Sequence, residues 1–230
     1  MWRRTWVYYR TCGRGSSFKL EKESMKAFGP LSISDRLPLL LGADSTAASH
    51  YLDMNRDGVA RLEELKSDCT LKNGAFVHIR PIRPEDECTL VEGFKHLSLQ
   101  TVYQRFLSPL PELTPSMARH LSNVDYDRRL ALIAETDAEL VGVARYEPTD
   151  DPGVAELGLV IVDHWQHRGL GRILLHKILS AAEENGIHRF RADVLAENRR
   201  MLRLLAADSQ IQDAKTEGCV TTISFTSRPR

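Results

Sequence analysis

The stretch from Val154 to Asn185 constrains the fold more than any other part of this 230-residue chain. Residues 154–162 form an apolar run of strand length that is interrupted only by Glu156 and small residues. After a short polar connector, the sequence Arg168-Gly-Leu-Gly-Arg172 opens a segment whose apolar residues recur at helical spacing. The pattern predicts a buried strand that a glycine-rich turn joins to the N-terminus of an amphipathic helix.

This turn has the chemistry of a phosphate-binding site. The first turn of a helix presents unpaired N–H groups and the positive end of the dipole, and glycines let a ligand approach the backbone. Arg168 and Arg172 add positive charge, so we expect a pyrophosphate ligand. A P-loop lysine is absent, and Leu174 replaces the third small residue of a dinucleotide fingerprint. The alternative is an ordinary strand–turn–helix whose glycines serve packing.

The overall composition argues against several classes of protein. The chain has 31 basic and 31 acidic side chains, whereas a nucleic-acid-binding domain favours a basic surface. No apolar run is long enough to cross a membrane. Cys12, Cys69, Cys88 and Cys219 are scattered and no signal peptide is evident, so we expect free thiols in a reducing, cytoplasmic compartment. The eight histidines show no H-x-x-x-H pattern, so we expect no metal.

Residues 1–74 form an N-terminal extension whose fold the sequence defines poorly. The first 30 residues are rich in aromatic and basic side chains, and no acid precedes Glu21. This composition fits either an organelle transit peptide or a disordered tail, including an upstream extension ahead of a start at Met25. We expect the tail.

The segment from Asp53 to Glu64 resembles an EF-hand calcium loop. It has oxygen-bearing side chains at positions one, three and five, a glycine at position six and Glu64 at position twelve. No second loop is present to pair with it, and Ala60 replaces the usual bulky aliphatic residue. We therefore expect a polar turn rather than a calcium site.

From residue 75 onward, strand and helix patterns alternate. The predicted strands are 76–82, 129–135, 140–146, 154–162, 190–195, 210–214 and 220–225. The predicted helices begin near residues 83, 98, 114, 172 and 198. This order predicts an α/β chain of the mixed α+β kind, with a central, mostly antiparallel mixed sheet flanked by helices.

Several separated motifs in this part of the chain resemble one family. The sequence Gln166-His-Arg-Gly-Leu-Gly171 is similar to the Gln/Arg-x-x-Gly-x-Gly acyl-CoA motif of the GNAT acetyltransferases. The segments that resemble the GNAT domain of bacterial protein lysine acetyltransferases are 79–87, 102–106, 125–127 and 194–202. The resemblance covers about residues 77–226 and predicts a GNAT domain at 75–230. The extension is too short for the CoA-ligase-like or cyclic-nucleotide-binding domains to which that subgroup is often fused.

The resemblance implies where acetyl-CoA, the expected co-substrate, binds. The strand before the turn would separate from its neighbour and offer backbone groups to the pantetheine amides, and the turn would wrap the pyrophosphate. The residues implied in these contacts are Val160, Ile161 and Val162 on the strand and His167, Arg168, Gly169, Leu170, Gly171 and Arg172 on the turn. Asn198 occupies the family position that bonds the pantetheine arm, and it suits the N-cap of the following helix equally well.

Glu156 is the candidate general base. A protonated lysine cannot attack a thioester, so a base must take its proton. Glu156 is the only carboxylate within an otherwise apolar strand, and partial burial would raise its pKa toward working pH. The resemblance implies a catalytic glutamate at the same position. The alternative is a solvent-facing glutamate near the start of the strand.

Together these features predict an N-acetyltransferase that transfers the acetyl group of acetyl-CoA to a primary amine, preferably a protein lysine, by direct attack. A small-molecule amine acetyltransferase and a non-catalytic acyl-CoA sensor are the alternatives. We expect no nucleic-acid or membrane partner. The helix after Asn198 lacks the tyrosine with which many GNAT enzymes protonate the CoA thiolate, so either water protonates it or no acid is needed. A nucleophilic role for Cys88 or Cys219 would need a base partner that the sequence does not reveal.

Overall fold

An eight-stranded sheet forms the centre of the computed structural model, which describes residues 60–228. The strands are β1 (Ser67–Thr70), β2 (Phe76–Pro81), β3 (Leu130–Glu135), β4 (Leu140–Pro148), β5 (Val154–Ile161), β6 (Arg189–Leu195), β7 (Ser209–Glu217) and β8 (Val220–Ser227). Their spatial order is β1-β2-β3-β4-β5-β6-β8-β7, and only the pair β5 and β6 is parallel. The predicted mixed, mostly antiparallel sheet is therefore confirmed.

Helices flank the sheet, and some of them begin at a side chain that caps the first turn. They are α1 (Glu87–Lys95), α2 (Leu99–Phe106), α3 (Pro115–Ser122), α4 (Leu170–Glu184) and α5 (Arg199–Asp208). Ser98 caps α2 and Thr114 caps α3, each by accepting a hydrogen bond from the backbone N–H three residues later. Helix α4 makes the crossover between the two parallel strands, which is the usual connection for such a pair.

The two faces of the central strands differ in polarity because side chains alternate along a strand. One face is apolar and packs against α4, whose Leu174 and Ile178 are fully buried. A Cβ built on Gly142 would lie only 3.1 Å from Leu174, so β4 and α4 approach closely. The opposite face of β4, β5 and β6 carries charged side chains, and α2 lies over it, with Arg105 beside Gly158.

A compact ion cluster connects β2, β3 and the start of α1. Arg80 donates to both carboxylate oxygens of Asp86 at 2.8 Å and to Glu135 at 2.7 and 3.2 Å. The Arg83 N–H also donates to Asp86 at 2.7 Å. Burial opposes the charged form of Asp86, but the bonds from Arg80 and Arg83 outweigh it and lower the pKa of that carboxyl. We call Arg80, Asp86 and Glu135 the Arg80 cluster.

Strand β1 extends the sheet ahead of the predicted domain start at residue 75. It pairs with β2 in antiparallel register, from Ser67 opposite Ile79 to Thr70 opposite Phe76. The predicted tail and positions 53–59 of the EF-hand-like loop lie outside the described residues. Within residues 60–228, no helix combines the length and the apolar character needed to span a bilayer.

Candidate active site

The parallel strands β5 and β6 separate after a short region of pairing. Strand β5 pairs with β4 as far as Ile161. Its pairing with β6 ends at Glu156, which lies opposite Arg191. Because Leu157–Ile161 has no partner in β6, a V-shaped opening begins at Glu156 and widens toward the glycine-rich turn. This is the separation that the resemblance implied.

A cleft of about 460 Å³ occupies this opening. It is lined by β5, the glycine-rich turn and α5, and by residues of α2 on the polar face of the sheet. The predicted co-substrate residues that line it are Val160, Ile161, His167, Gly169, Leu170, Gly171, Arg172 and Asn198. The structure therefore brings most of the predicted binding residues together in one cleft.

The N-terminus of α4 opens into this cleft with its backbone exposed. Gly169 is the N-cap with φ of 90°, a left-handed conformation that favours glycine, and His167 has φ of 64°. Among the described residues, no side chain caps the helix. The first backbone N–H groups of α4 are thus available to an anion. A Cβ on Gly171 would make only ordinary contacts, at 3.8 Å, so protein packing alone does not require glycine there.

The two arginines of the turn occupy different places. Arg172 lines the cleft, and its Nε donates to the Asp208 carboxylate at 2.7 and 2.9 Å. His176 contacts the same carboxylate at 3.0 Å. Arg168 instead lies over the Trp165 ring, 4.6 Å from its centroid, and is not among the residues that line the cleft. The geometry therefore favours Arg172 over Arg168 as a ligand for pyrophosphate.

Val162 does not fit its predicted role as a pantetheine partner. Its N–H donates to the Val141 carbonyl at 3.0 Å, and its own carbonyl accepts from the Trp165 N–H at 2.8 Å. The side chain is 3% exposed, and the residue does not line the cleft. Val162 lies beyond the end of β5, where a short 3-10 turn (Asp163–Trp165) engages its backbone. The contacts of Val162 do not favour the predicted role, and the pantetheine contacts of Val160, Ile161 and Val162 stay predictions.

Gln166 connects three elements that line the cleft, a role that the sequence motif did not indicate. Its Nε2 donates to the Ile161 carbonyl at 3.0 Å and to the Thr101 hydroxyl at 3.4 Å. Its Oε1 accepts a hydrogen bond from Arg200. One side chain therefore connects β5, α2 and α5. Sequence analysis could not predict these contacts, because their partners are distant along the chain.

Asn198 has the N-cap role that the sequence allowed. Its Oδ1 accepts a hydrogen bond from the Met201 N–H at 3.1 Å. The residue also lines the cleft. Both roles are therefore sterically compatible, and the pantetheine contact stays a prediction.

Glu156 lies at the vertex of the opening. Its Oε2 is 3.6 Å from Nη2 of Arg191, and its side chain is 18% exposed. Desolvation raises the pKa of the carboxyl despite the attraction of Arg191, and the nearby negative charge of Asp193 raises it further. The Glu156 side chain is not among those that line the cleft, but the next two residues of β5 are. Its strand position therefore places it at the deep end of the cleft.

Other charged residues surround Glu156 on the same face. Glu147 lies opposite Glu156 in the β4–β5 register, and it is 2.6 Å from Nη2 of Arg145. Desolvation lowers the pKa of Arg145 to about 10. It also lowers the pKa of Arg105, on α2. We call Arg105, Arg145, Glu147, Glu156 and Arg191 the cleft cluster. Of these five residues the sequence pattern indicated only Glu156, because the others come together from α2, β4 and β6.

The described cysteines make a covalent mechanism unattractive. Cys69, Cys88 and Cys219 are free, and none of them lines the cleft. Within residues 60–228, no group of three or more histidine, cysteine or acidic side chains is arranged to bind a metal ion. The polar chemistry near the vertex is therefore that of carboxylates and guanidinium groups.

Comparison with known proteins identifies this architecture. The profile of the Acetyltransferase (GNAT) family matches residues 98–207, a range that contains α2, β5, α4 and all of α5 except its last residue. The acetyltransferase PA5475 of Pseudomonas aeruginosa is 32% identical over 142 residues, which are 60% of this chain and 76% of that protein. The acetyltransferase Pat of Mycolicibacterium smegmatis is 27% identical over 138 residues, covering 59% of this chain and 41% of that protein.

A solved structure gives the same result. The GNAT domain of S. lividans PAT matches with a TM-score of 0.65 and 28% identity, over 71% of this chain and 97% of that domain. The sequence and structure comparisons thus agree on the family and the fold. The chain belongs to the GNAT acetyltransferase family and is an acetyl-CoA-dependent acyltransferase.

Proposed function

We propose that the enzyme acetylates the side-chain amine of protein lysines by direct attack on acetyl-CoA, with Glu156 as the general base. The observation that carries this proposal is the place of Glu156, a carboxyl with a raised pKa at the vertex of the co-substrate cleft. The acceptor class rests on the resemblance of residues 77–226 to the GNAT domains of bacterial protein lysine acetyltransferases. The similarity to Pat and to the S. lividans PAT domain supports it.

The cleft provides a distinct site for each part of acetyl-CoA. The unpaired edge of β5 at Val160 and Ile161, together with Asn198, would bind the pantetheine arm. The start of α4 and the Arg172 side chain would bind the pyrophosphate. In this orientation the acetyl group reaches the deep end of the cleft, near Glu156.

Glu156 would act before the new bond forms. Its carboxylate takes a proton from the lysine ammonium, and the neutral amine attacks the thioester carbon. The N–C bond forms, the C–S bond breaks with its electron pair leaving on sulphur, and the acylated nitrogen loses its second proton to solvent to give the amide. Desolvation strengthens Glu156 as a base because it raises the pKa of the carboxyl.

The test compares Glu156→Gln with Asp193→Asn. Asp193 is a carboxylate that lines the cleft, but it accepts a hydrogen bond from the Thr222 hydroxyl at 2.6 Å. We expect Glu156→Gln to lower kcat about a hundredfold, the usual scale for a general base, with unchanged affinity for acetyl-CoA. Asp193→Asn should retain most of the activity. CoA release is measured with a panel of lysine peptides and small amines, and acetyl-CoA binding by calorimetry.

Each outcome has a clear meaning. Equal turnover by wild type and Glu156→Gln at neutral pH would remove Glu156 from the mechanism. A larger loss in Asp193→Asn would transfer the base role to that residue. Faster turnover of small amines than of any peptide would overturn the acceptor assignment. Tight binding of acetyl-CoA without turnover of any acceptor would indicate the sensor instead.

A further inference from the structure

Arg105 is a cation that the reaction described above does not use. Its guanidinium lines the cleft, on the polar face of the sheet. It donates no hydrogen bond to any of the residues at positions 60–228. Arg80 and Arg145 each have a carboxylate within 2.8 Å, whereas the charges of Glu147 and Glu156 act on Arg105 from a longer distance. A partly buried guanidinium that lines a cleft and has unused donors can bind an anion there.

Arg105 contacts the strand at the deep end of the cleft. An ideal Cβ on Gly158 would lie 2.4 Å from Nη2 of Arg105, so the guanidinium occupies the space that a side chain would need. Gly158 is two residues beyond Glu156 on β5, and both residues therefore face the same side of the sheet. The guanidinium thus lies beside the first unpaired residues of β5, near the general base.

The helix that carries Arg105 is fixed to the 3-10 turn (Asp163–Trp165) that precedes the glycine-rich turn. Asp163 accepts hydrogen bonds from the Ser98 N–H at 2.8 Å, the Ser98 hydroxyl at 2.7 Å and the Thr101 hydroxyl at 2.8 Å. Thr101 is one helical turn before Arg105, so the two residues share a face of α2. These bonds fix the start of the helix that carries Arg105 before any substrate binds, and a preformed position of this kind favours electrostatic catalysis.

We propose that Arg105 stabilises the negative charge on the CoA sulphur as the thioester breaks. The inference rests on the proposed function, because it places the thioester beside Glu156 and Gly158. When the C–S bond breaks, the electron pair goes to sulphur and the guanidinium donates hydrogen bonds to the resulting thiolate. Arg105 keeps its own proton, and solvent protonates the thiolate after release. Stabilisation of the thiolate by Arg105 would replace protonation by a tyrosine, which α5 does not contain.

The test measures the bound thiol directly and requires no acceptor. The thiolate absorbance of CoA bound to the full 230-residue chain is titrated against pH, and the same titration with desulfo-CoA is subtracted to remove the protein thiols. We expect the bound thiol to titrate about one to three pH units below that of free CoA, the usual effect of an adjacent opposite charge. In Arg105→Gln it should titrate near the free value.

Two further variants separate charge from position. Arg105→Lys keeps the charge and should retain part of the effect. Gly158→Ala keeps Arg105 but places a methyl group against its guanidinium, so the bound thiol should titrate between the wild-type and Arg105→Gln values. In steady-state assays, Arg105→Gln should lower kcat about tenfold or more while the KM for acetyl-CoA changes little.

The outcomes distinguish this inference from the proposed function. If CoA does not bind to the wild-type chain, the proposed function fails. If CoA binds, and its thiol titrates alike in wild type and Arg105→Gln, only the role of Arg105 is wrong. Thermal melting shows whether Arg105→Gln folds. If it does not fold, Gly158→Ala decides: a bound CoA thiol that titrates at the same pH in Gly158→Ala as in wild type overturns the inference.

Discussion

The Arg80 cluster and the cleft cluster both consist of arginine and acidic side chains, but the two clusters differ in how completely these side chains are hydrogen-bonded. In the Arg80 cluster, the guanidinium makes close bonds to two carboxylates, and it lowers the pKa of Asp86. In the cleft cluster, the pKa of Glu156 is raised, and that of Arg105 is lowered. The Nε atom of Arg191 is buried without a hydrogen-bond partner among the described residues.

The difference indicates which cluster stabilises the fold and which performs chemistry. A buried charge that is fully bonded favours the native state, because removal of one partner leaves the other unpaired. A buried charge with a perturbed pKa and unused donors opposes folding, but it is ready to bind a substrate or to move a proton. The fully bonded ions thus lie at β2, and the ions that we propose take part in the reaction lie where β5 and β6 separate.

The largest expected effect is on stability, at the Arg80 cluster. Asp86→Ala should lower the free energy of unfolding by about 3–5 kcal/mol, because it leaves the Arg80 guanidinium and the Arg83 N–H without a principal acceptor. Glu85→Ala is the control, since Glu85 is the exposed neighbouring acid and should change stability by less than about 0.5 kcal/mol. Urea denaturation measures both. Equal stabilities would contradict the comparison.

The second effect is on the pH dependence of catalysis. The carboxylate of Glu156 is the active form, so kcat/KM should fall about tenfold per pH unit below its pKa, which lies above the ordinary glutamate value. Glu156→Gln should lose this acidic limb and keep only the limb that belongs to the amine acceptor. Asp86→Asn, assayed where it remains folded, should keep the wild-type profile. An unchanged limb in Glu156→Gln would assign it to another group.

The smallest effect is a gain in stability at the cleft cluster. The pKa of Glu156 is raised in the folded state, so the folded state holds its proton more tightly and loses stability as pH rises through that pKa. Glu156→Gln removes this cost and should stabilise the enzyme by about 1 kcal/mol at neutral pH, or about 2–4 °C in Tm. Calorimetry should show the gain disappear below pH 4. A destabilised variant would show that Glu156 is a structural ion.

Local patterns predicted most of the fold and part of the site. The glycine-rich turn and its flanking elements were readable because glycine, charge and apolar spacing all occur within one short segment. Glu156 was noticeable because it interrupts an apolar strand. The catalytic role of this residue stays a prediction, although its place at the vertex is now defined.

The remaining features depend on contacts between distant segments. Strand β1 was missed because Ser67-Asp-Cys-Thr70 has no alternating apolar pattern, and its structure comes from pairing with β2. Val162 lies just beyond the end of β5 because a 3-10 turn follows, which the continuous apolar run did not indicate. The sequence pattern did not distinguish Arg105 from other polar residues of an amphipathic helix. Its position in the cleft depends on contact with Gly158, which is distant along the chain.

The short pairing between β5 and β6 also has a mechanical consequence. A sheet normally transmits cooperativity across an unbroken ladder of hydrogen bonds, but here only Val154–Glu156 links the first five strands to the last three. A ligand that bonds to the free edge of β5 would act as an additional strand and complete the ladder. Acetyl-CoA is then part of the folded architecture as well as a reactant. Amide hydrogen exchange along β5 should therefore slow when it binds.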